Sequence, residues 1–362
     1  MNDIAELKEY VRVHARGQGI KGYRQVLDRI HCDEGDGPGS WVGEWCRAAE
    51  RLTGRGNDLA RSRHYALARF PYVDGPARRE AQERCVEALD RWRTGQRGIE
   101  RLDVELAQGR VRCWASGLST TDPKPLLVVM GGIVTVKEQW APLLAAVGRI
   151  GMAGVVTEMP GVGENELRYG PDSAGMLSAL LDAVADRADV TRTHAITLSF
   201  SGHMALGCAL DDLRISSVIT VGAPVGTFFT DLDWRHRLPR ITVDTLAHLT
   251  GTEPSGIVGG LGKWALTGEQ LDRLDIPVHY VASLRDEIIP ASDVQLLRDH
   301  VRALDLVEFD DVHGSPRHVR ETQLWILASL LRDRDVRTMQ SALVSLALRL
   351  RRLGRRTAGS RA

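Results

Sequence analysis

The sequence predicts an α/β protein in which a mostly parallel sheet, covered by helices on both faces, follows a helical region. Three observations predict it. A series of short apolar runs, at 126–130, 154–157, 194–198, 218–221, 278–282 and 306–309, alternates with helical stretches. Short apolar strands alternating with helices form a sheet buried on both sides. Residues 1–97 precede that series and carry helical periodicity instead. Finally, chemically distinctive residues stand immediately after several of the runs, which is where parallel sheets place their sites.

Taken in order, residues 1–97 form a helical domain. Ile4, Leu7, Tyr10 and Val11 recur at helical spacing, as do Val86, Leu89 and Trp92, and "DEGDGPGS" at 33–40 is a loop by composition. Residues 98–335 form the α/β domain. It opens with "IERLDVELAQGRVRCWAS", which alternates around a turn at Gln108-Gly109 and reads as a hairpin. Residues 225–272 lie between two core strands and read as a lid insertion, with Phe228 and Trp234 in packing roles. Residues 336–362 read as a basic helix or tail. From Arg349 onward it carries six arginines and no acid, and reads as solvated, an acidic partner or membrane surface being the sharper alternative.

Composition narrows the class. A chain of 362 residues with 43% hydrophobic content can bury one large domain and a smaller one. Lys+Arg and Asp+Glu both number 47, so no bulk charge points to nucleic acid. Cys32, Cys46, Cys85, Cys113 and Cys208 are scattered without CxxC spacing, which reads as reduced thiols in a cytoplasmic protein with neither disulfides nor a zinc site. The charged start "MNDIAELKEY" is no signal peptide, and no run reaches the ~18 apolar residues of a membrane span. The "GVGENE" loop lacks the third glycine of a dinucleotide site, so no cofactor is expected.

The stretch "AITLSFSGHMAL" (195–206) holds two serines between a strand pattern and a helix start. A serine on a sharp strand-to-helix turn is a nucleophile elbow, whose neighbours two residues away must be small. With Ser199 at the apex those neighbours are Thr197 and Ser201; with Ser201 there, His203 would crowd the turn. Ser199 is therefore the expected nucleophile, against the plainer reading of a buried polar turn. Asp286 follows the run at 278–282 and His313 the run at 306–309. Ser, then Asp, then His is the chain order of the α/β-hydrolase fold. A serine needs a base in hydrogen-bond reach, His313, and the base needs an orienting acid, Asp286. Glu287 is the alternative acid; His318 is an alternative base that falls on the next helix. The oxyanion is assigned to the N–H of Phe200 and an N–H near Gly132 or Ile133, after the run at 126–130. Lys137 and Glu138 read as a structural pair.

The chain resembles the FrsA-like branch of α/β-hydrolases, which includes polyketide-shortening hydrolases and 2,6-dihydroxypseudooxynicotine hydrolase. The resemblance rests on "VVMGGIVTVKEQW", "MPGVGENEL" and "SFSGHMAL", and on the helical stretch "RSRHYALARFPYVDGPARREAQERCVEALDRW". It covers about residues 55 to 330. Thr197 and Ser201 depart from the family's elbow glycines, and Glu158 stands where an Asp is usual. The resemblance implies a helical cap over the site, a serine triad, a homodimer, and ester or 1,3-dicarbonyl substrates. The expected function is thus a serine-type hydrolase acting on an ester, thioester or 1,3-dicarbonyl in secondary metabolism, with contact to an acyl carrier protein as one way the basic tail is used. One alternative is a lyase of the same fold, in which His313 as base eliminates a carboxylate such as acetate from an acylated, tetronate-like intermediate. Another is a non-catalytic binding protein, against which the complete Ser/Asp/His set speaks.

Overall fold

The computed structural model describes residues 2–334, so the basic stretch 336–362 lies outside the described residues. The strands are β1 (Ile99–Leu106), β2 (Gly109–Ser116), β3 (Pro125–Met130), β4 (Ala153–Thr157), β5 (Asp189–Leu198), β6 (Ile215–Val221), β7 (Val278–Ser283) and β8 (Leu304–Phe309). They form one eight-stranded sheet in the order β1-β2-β4-β3-β5-β6-β7-β8. The hairpin β1–β2 is antiparallel, closing at Leu106 opposite Gly109, and β2 joins β4 antiparallel. From β4 to β8 every pairing is parallel.

The residues of β3 show why these runs are continuous rather than alternating. Every residue of the strand is buried. Leu126, Val128 and Met130 enter the core shared with Phe200 and Phe228, while Leu127 and Val129 enter the opposite core with Trp114 and Trp325. A strand apolar on both faces needs helices on both faces. The chain runs outward from β3 to β4, then crosses to β5 on the other side of β3. That reversal opens a crevice at the carboxyl ends of β3 and β5, which stand level, Met130 beside Thr197.

The N-terminal segment is helical, with helices Ile4–Gly17, Tyr23–Arg29, Trp41–Glu50, Asp58–Ala68 and Pro76–Arg93. Asp3 caps the first through the N–H groups of Ala5 and Glu6, and Ser40 caps the third through Gly43. Its core of Leu7, Val11, Trp41, Trp45 and Phe70 also takes in Ile241, from helix Arg240–Thr250 between β6 and β7. That insertion is anchored at its start by Asp293, whose buried carboxylate accepts the N–H groups of Val225, Gly226, Thr227 and Phe228. Phe228 is fully buried against Phe200, their ring centroids 5.2 Å apart, the packing role the sequence assigns it.

Candidate active site

The turn between β5 and helix Phe200–Asp211 is sharp because Ser199 adopts φ 58° and ψ −129°, a conformation costing an L-residue about 1–3 kcal/mol. Its N–H donates to Val221 O at 2.9 Å, and its carbonyl accepts Gly202 N–H at 2.8 Å, so both flanks of the turn are fixed. Ser201 is no rival, since its hydroxyl points into backbone and reaches Met130 O at 3.0 Å and Leu198 O at 2.9 Å. Thr197 is fully buried in the strand end. The elbow thus forms without glycine at either flank.

Ser199 Oγ lies 3.1 Å from His313 Nε2, and both carboxylate oxygens of Asp286 lie 3.0 Å from His313 Nδ1. Asp286 is fixed in turn by the N–H groups of Ile288 (2.9 Å) and Ile289 (2.8 Å). With Asp286 accepting at Nδ1, the neutral ring keeps its lone pair on Nε2, facing the serine hydroxyl. Burial pulls the His313 pKa down, but the charge and hydrogen bond of Asp286, with help from Glu287, outweigh it and leave it raised. Glu287 does a different job from its neighbour: it accepts the backbone N–H of His313 at 3.0 Å and the Tyr10 hydroxyl at 3.2 Å. His318 sits at the start of helix Val319–Asp333, bonded to Asp311 at 2.8 Å and stacked on Phe309, away from Ser199's partner. One residue here that sequence reasoning missed is Gly222, just past β6. It has φ +60°, and an added Cβ would fall 2.9 Å from His313 Cε1, so only glycine lets the ring lie against this strand end. The run "TVGAPVG" offered that glycine as the signal.

On the other side of Ser199 comes the loop after β3. Gly132 abuts Ser199 so closely that a Cβ there would be 3.1 Å from Ser199 Cβ. Ile133 is buried beside it, and Phe200 opens the helix, where N–H groups have no partner within the helix. Behind this loop lies a buried ion cluster. Lys137 Nζ meets Glu138 and Glu158 at 3.0 Å each and Glu164 at 2.7 Å. Glu158 also accepts the N–H groups of Lys137 (3.0 Å) and Glu164 (2.7 Å), and Glu138 accepts Trp114 Nε1 at 2.9 Å. "GGIVTVKEQW" and "MPGVGENEL", separate in the sequence, are therefore two halves of one brace under the glycine loop. From the helical segment, Arg69 adds a third hold: its buried guanidinium donates to Pro71 O at 2.9 Å and to Val134 O within the loop.

The helical segment contributes further groups that sequence reasoning missed. Helix Ile4–Gly17 buries Leu7, Val11 and Ala15 on one face. Glu6, Tyr10 and His14, spaced by four, share another: Glu6 accepts Ile241 N–H at 3.1 Å and Tyr10 reaches Glu287. The sequence carried no signal for them, since a polar stripe of period four is what any solvent-facing helix shows. Among the described residues no cluster of His, Cys, Asp or Glu could hold a metal ion.

Comparison with known proteins gives a consistent picture. The model of the family described as Esterase FrsA-like matches residues 38–309. Esterase FrsA of Vibrio cholerae serotype O1 is 23% identical over 320 residues, covering 82% of this chain and 76% of its own length. The solved structure of wild-type AbyA5 is 52% identical, covers 96% of this chain and 99% of its own, and matches with a TM-score of 0.93. That of 2,6-dihydroxy-pseudo-oxynicotine hydrolase, at 20% identity, covers 87% of this chain and 94% of its own with a TM-score of 0.68, a likeness of fold.

Proposed function

This chain belongs to the FrsA-like esterase family and has the α/β-hydrolase fold, and from that premise we propose that it is a serine-type hydrolase of an ester, thioester or 1,3-dicarbonyl compound, working as a tailoring enzyme of secondary metabolism. The observation that carries the proposal is Ser199 on its strained turn, Oγ 3.1 Å from His313 Nε2. Ser199 Oγ attacks the acyl carbon while its proton passes to His313 Nε2. The oxyanion that forms is met by the N–H of Phe200 and an N–H at Gly132 or Ile133. His313 then protonates the departing alkoxide, thiolate or carbanion. A water molecule, deprotonated by the same nitrogen, opens the acyl-enzyme, releases the acid and restores Ser199. Asp286 holds the ring in its tautomer and stabilises the imidazolium, in line with the raised His313 pKa.

One observation favours a second reading. Hydrolysis through an acyl-enzyme uses one imidazole for every proton transfer, yet a second, His14, stands one helical turn from Tyr10, which bonds the Glu287 that holds His313. An elimination uses two groups, His313 to take a C–H proton and another to meet the departing carboxylate, and breaks the alkyl C–O bond without an acyl-enzyme. The experiment is fluorophosphonate labelling with the adduct located by mass spectrometry, followed by turnover in ¹⁸O water. Hydrolysis predicts an adduct on Ser199, lost in Ser199→Ala, and label in the released acid. Unlabelled acid with only a mild Ser199→Ala defect overturns hydrolysis in favour of elimination.

A further inference from the structure

His14 is held between the two halves of the site. One helical turn before it, Tyr10 donates to Glu287, which holds the His313 backbone N–H. On its other side, its ring packs on Phe70 with centroids 5.4 Å apart. Phe70 follows Arg69, whose guanidinium grips Val134 in the glycine loop that abuts Ser199. The imidazole is thus bracketed by the base on one side and the oxyanion loop on the other. The His14 ring is half-buried and keeps accessible surface, as the His313 side chain does at 16% exposure. Neither ring nitrogen of His14 forms a hydrogen bond with the described residues. With part of the ring at accessible surface, those nitrogens are open to a group that enters from that side.

We infer that His14 is a further substrate-contacting residue, whose imidazole hydrogen-bonds a second oxygen carried by the substrate near the scissile acyl group and so selects oxygenated acyl compounds over plain ones. Burial, followed by the charges of Arg69 and His313, pulls its pKa down to about 4. The ring is therefore neutral at working pH, with one N–H to give and one lone pair to accept. A neutral donor suits a carbonyl or hydroxyl oxygen, and leaves His313 as the group that takes up charge.

The inference rests on Ser199 being the nucleophile, and the test separates the two. Ethyl 3-oxobutanoate and ethyl butanoate, close in size, are each titrated as protectants against fluorophosphonate labelling of Ser199. In the wild type the oxo ester protects at a concentration about tenfold lower, the worth of one hydrogen bond. In His14→Phe that ratio falls to about one; in His14→Gln, which keeps a donor and an acceptor, it is partly restored. Each variant is read against its own unprotected labelling, so a general loss of activity does not mimic the result, and should His14→Phe not fold, His14→Leu is read in its place. Absence of labelling in the wild type overturns the serine reading. Labelling without preference for the oxo ester, or a preference that survives in His14→Phe or His14→Leu, overturns the role of His14 alone.

Discussion

Two walls enclose Ser199, and they are built differently. The first is made of strand ends. Met130 stands beside Thr197, Leu198 beside Val221, and Ser283 beside Phe309, so the ladder itself brings Gly132, Ser199, Gly222, Asp286 and His313 to one crevice. The second is made of side chains reaching in from the helical segment: Tyr10 to Glu287, Arg69 to Val134, Glu6 to Ile241, and Tyr72 stacked on His248 with centroids 4.4 Å apart. Backbone ladders cannot be re-aimed by changing one residue, whereas long side chains can be exchanged singly. The difference teaches where each property of such an enzyme resides. On the proposed function, reaction chemistry sits on the wall that cannot easily drift, and the inference about His14 puts choice of substrate on the wall that can.

The sharpest way to break this comparison is at Asp286. Asp286→Asn removes the acceptor that sets the His313 tautomer, and kcat on an activated ester is expected to fall about 10⁴-fold. The double variant Ser199→Ala/Asp286→Asn should be no worse than Ser199→Ala, because the three residues act as a unit. The pH profile carries the sign. His313 must be neutral to act as base and its pKa is raised, so wild-type activity rises with pH through a midpoint above that of free imidazole. Without the Asp286 charge, the residual activity should show a lower midpoint. A loss under tenfold, or an unshifted midpoint, would move the chemistry off the strand-end wall.

A smaller effect is expected behind the glycine loop. Lys137→Met leaves Glu138 and Glu158, both fully buried, without their shared ammonium. Removing one partner of a buried ion cluster costs about 3–5 kcal/mol, to be read as a lower urea midpoint at unchanged slope. Because the same cluster braces the loop beside Ser199, kcat should fall about a hundredfold with KM nearly constant. A stable variant with full kcat would mean that the brace and the strand-end wall are independent.

Legibility in the sequence follows the same division. Strand positions, chain order of the candidate residues and the elbow register were readable because continuous apolar runs and strand-end rules fix them locally; the Ser199 register needed only the size of its neighbours. Asp286 was preferred to Glu287, but nothing local revealed that Glu287 would hold the His313 backbone. Lys137 and Glu138 were readable as a structural pair, yet their partners Glu158 and Glu164 lie some twenty residues on, joined only when β3 and β4 pair. Tyr10, His14 and Arg69 were not legible, because their roles depend on how the helical segment docks on the sheet. No spacing rule states that docking. Thr197 and Ser201 looked like departures from the elbow, but a buried threonine and a serine bonded to Met130 O fill the same tight space.

The smallest expected effect sharpens the comparison most, because it tests the helical wall where it comes closest to the base. Tyr10 donates to Glu287 Oε1, and its phenol pKa is raised by burial and by the Glu287 charge, so it remains a neutral donor at working pH. Tyr10→Phe keeps the ring and removes that one bond. Glu287 still accepts the His313 N–H through its other oxygen, and Asp286 still sets the imidazole. Little of the lost bond should therefore reach the reaction: kcat should fall less than tenfold, and the pH midpoint should stay where it is, since no charge has been removed. Glu287→Gln is the informative companion, as it keeps the shape but deletes one of the charges that raise His313, and its midpoint should move down. Should Tyr10→Phe instead cost a hundredfold or shift the midpoint as far as Glu287→Gln does, the helical wall takes part in proton transfer, and the division between the two walls fails at that residue.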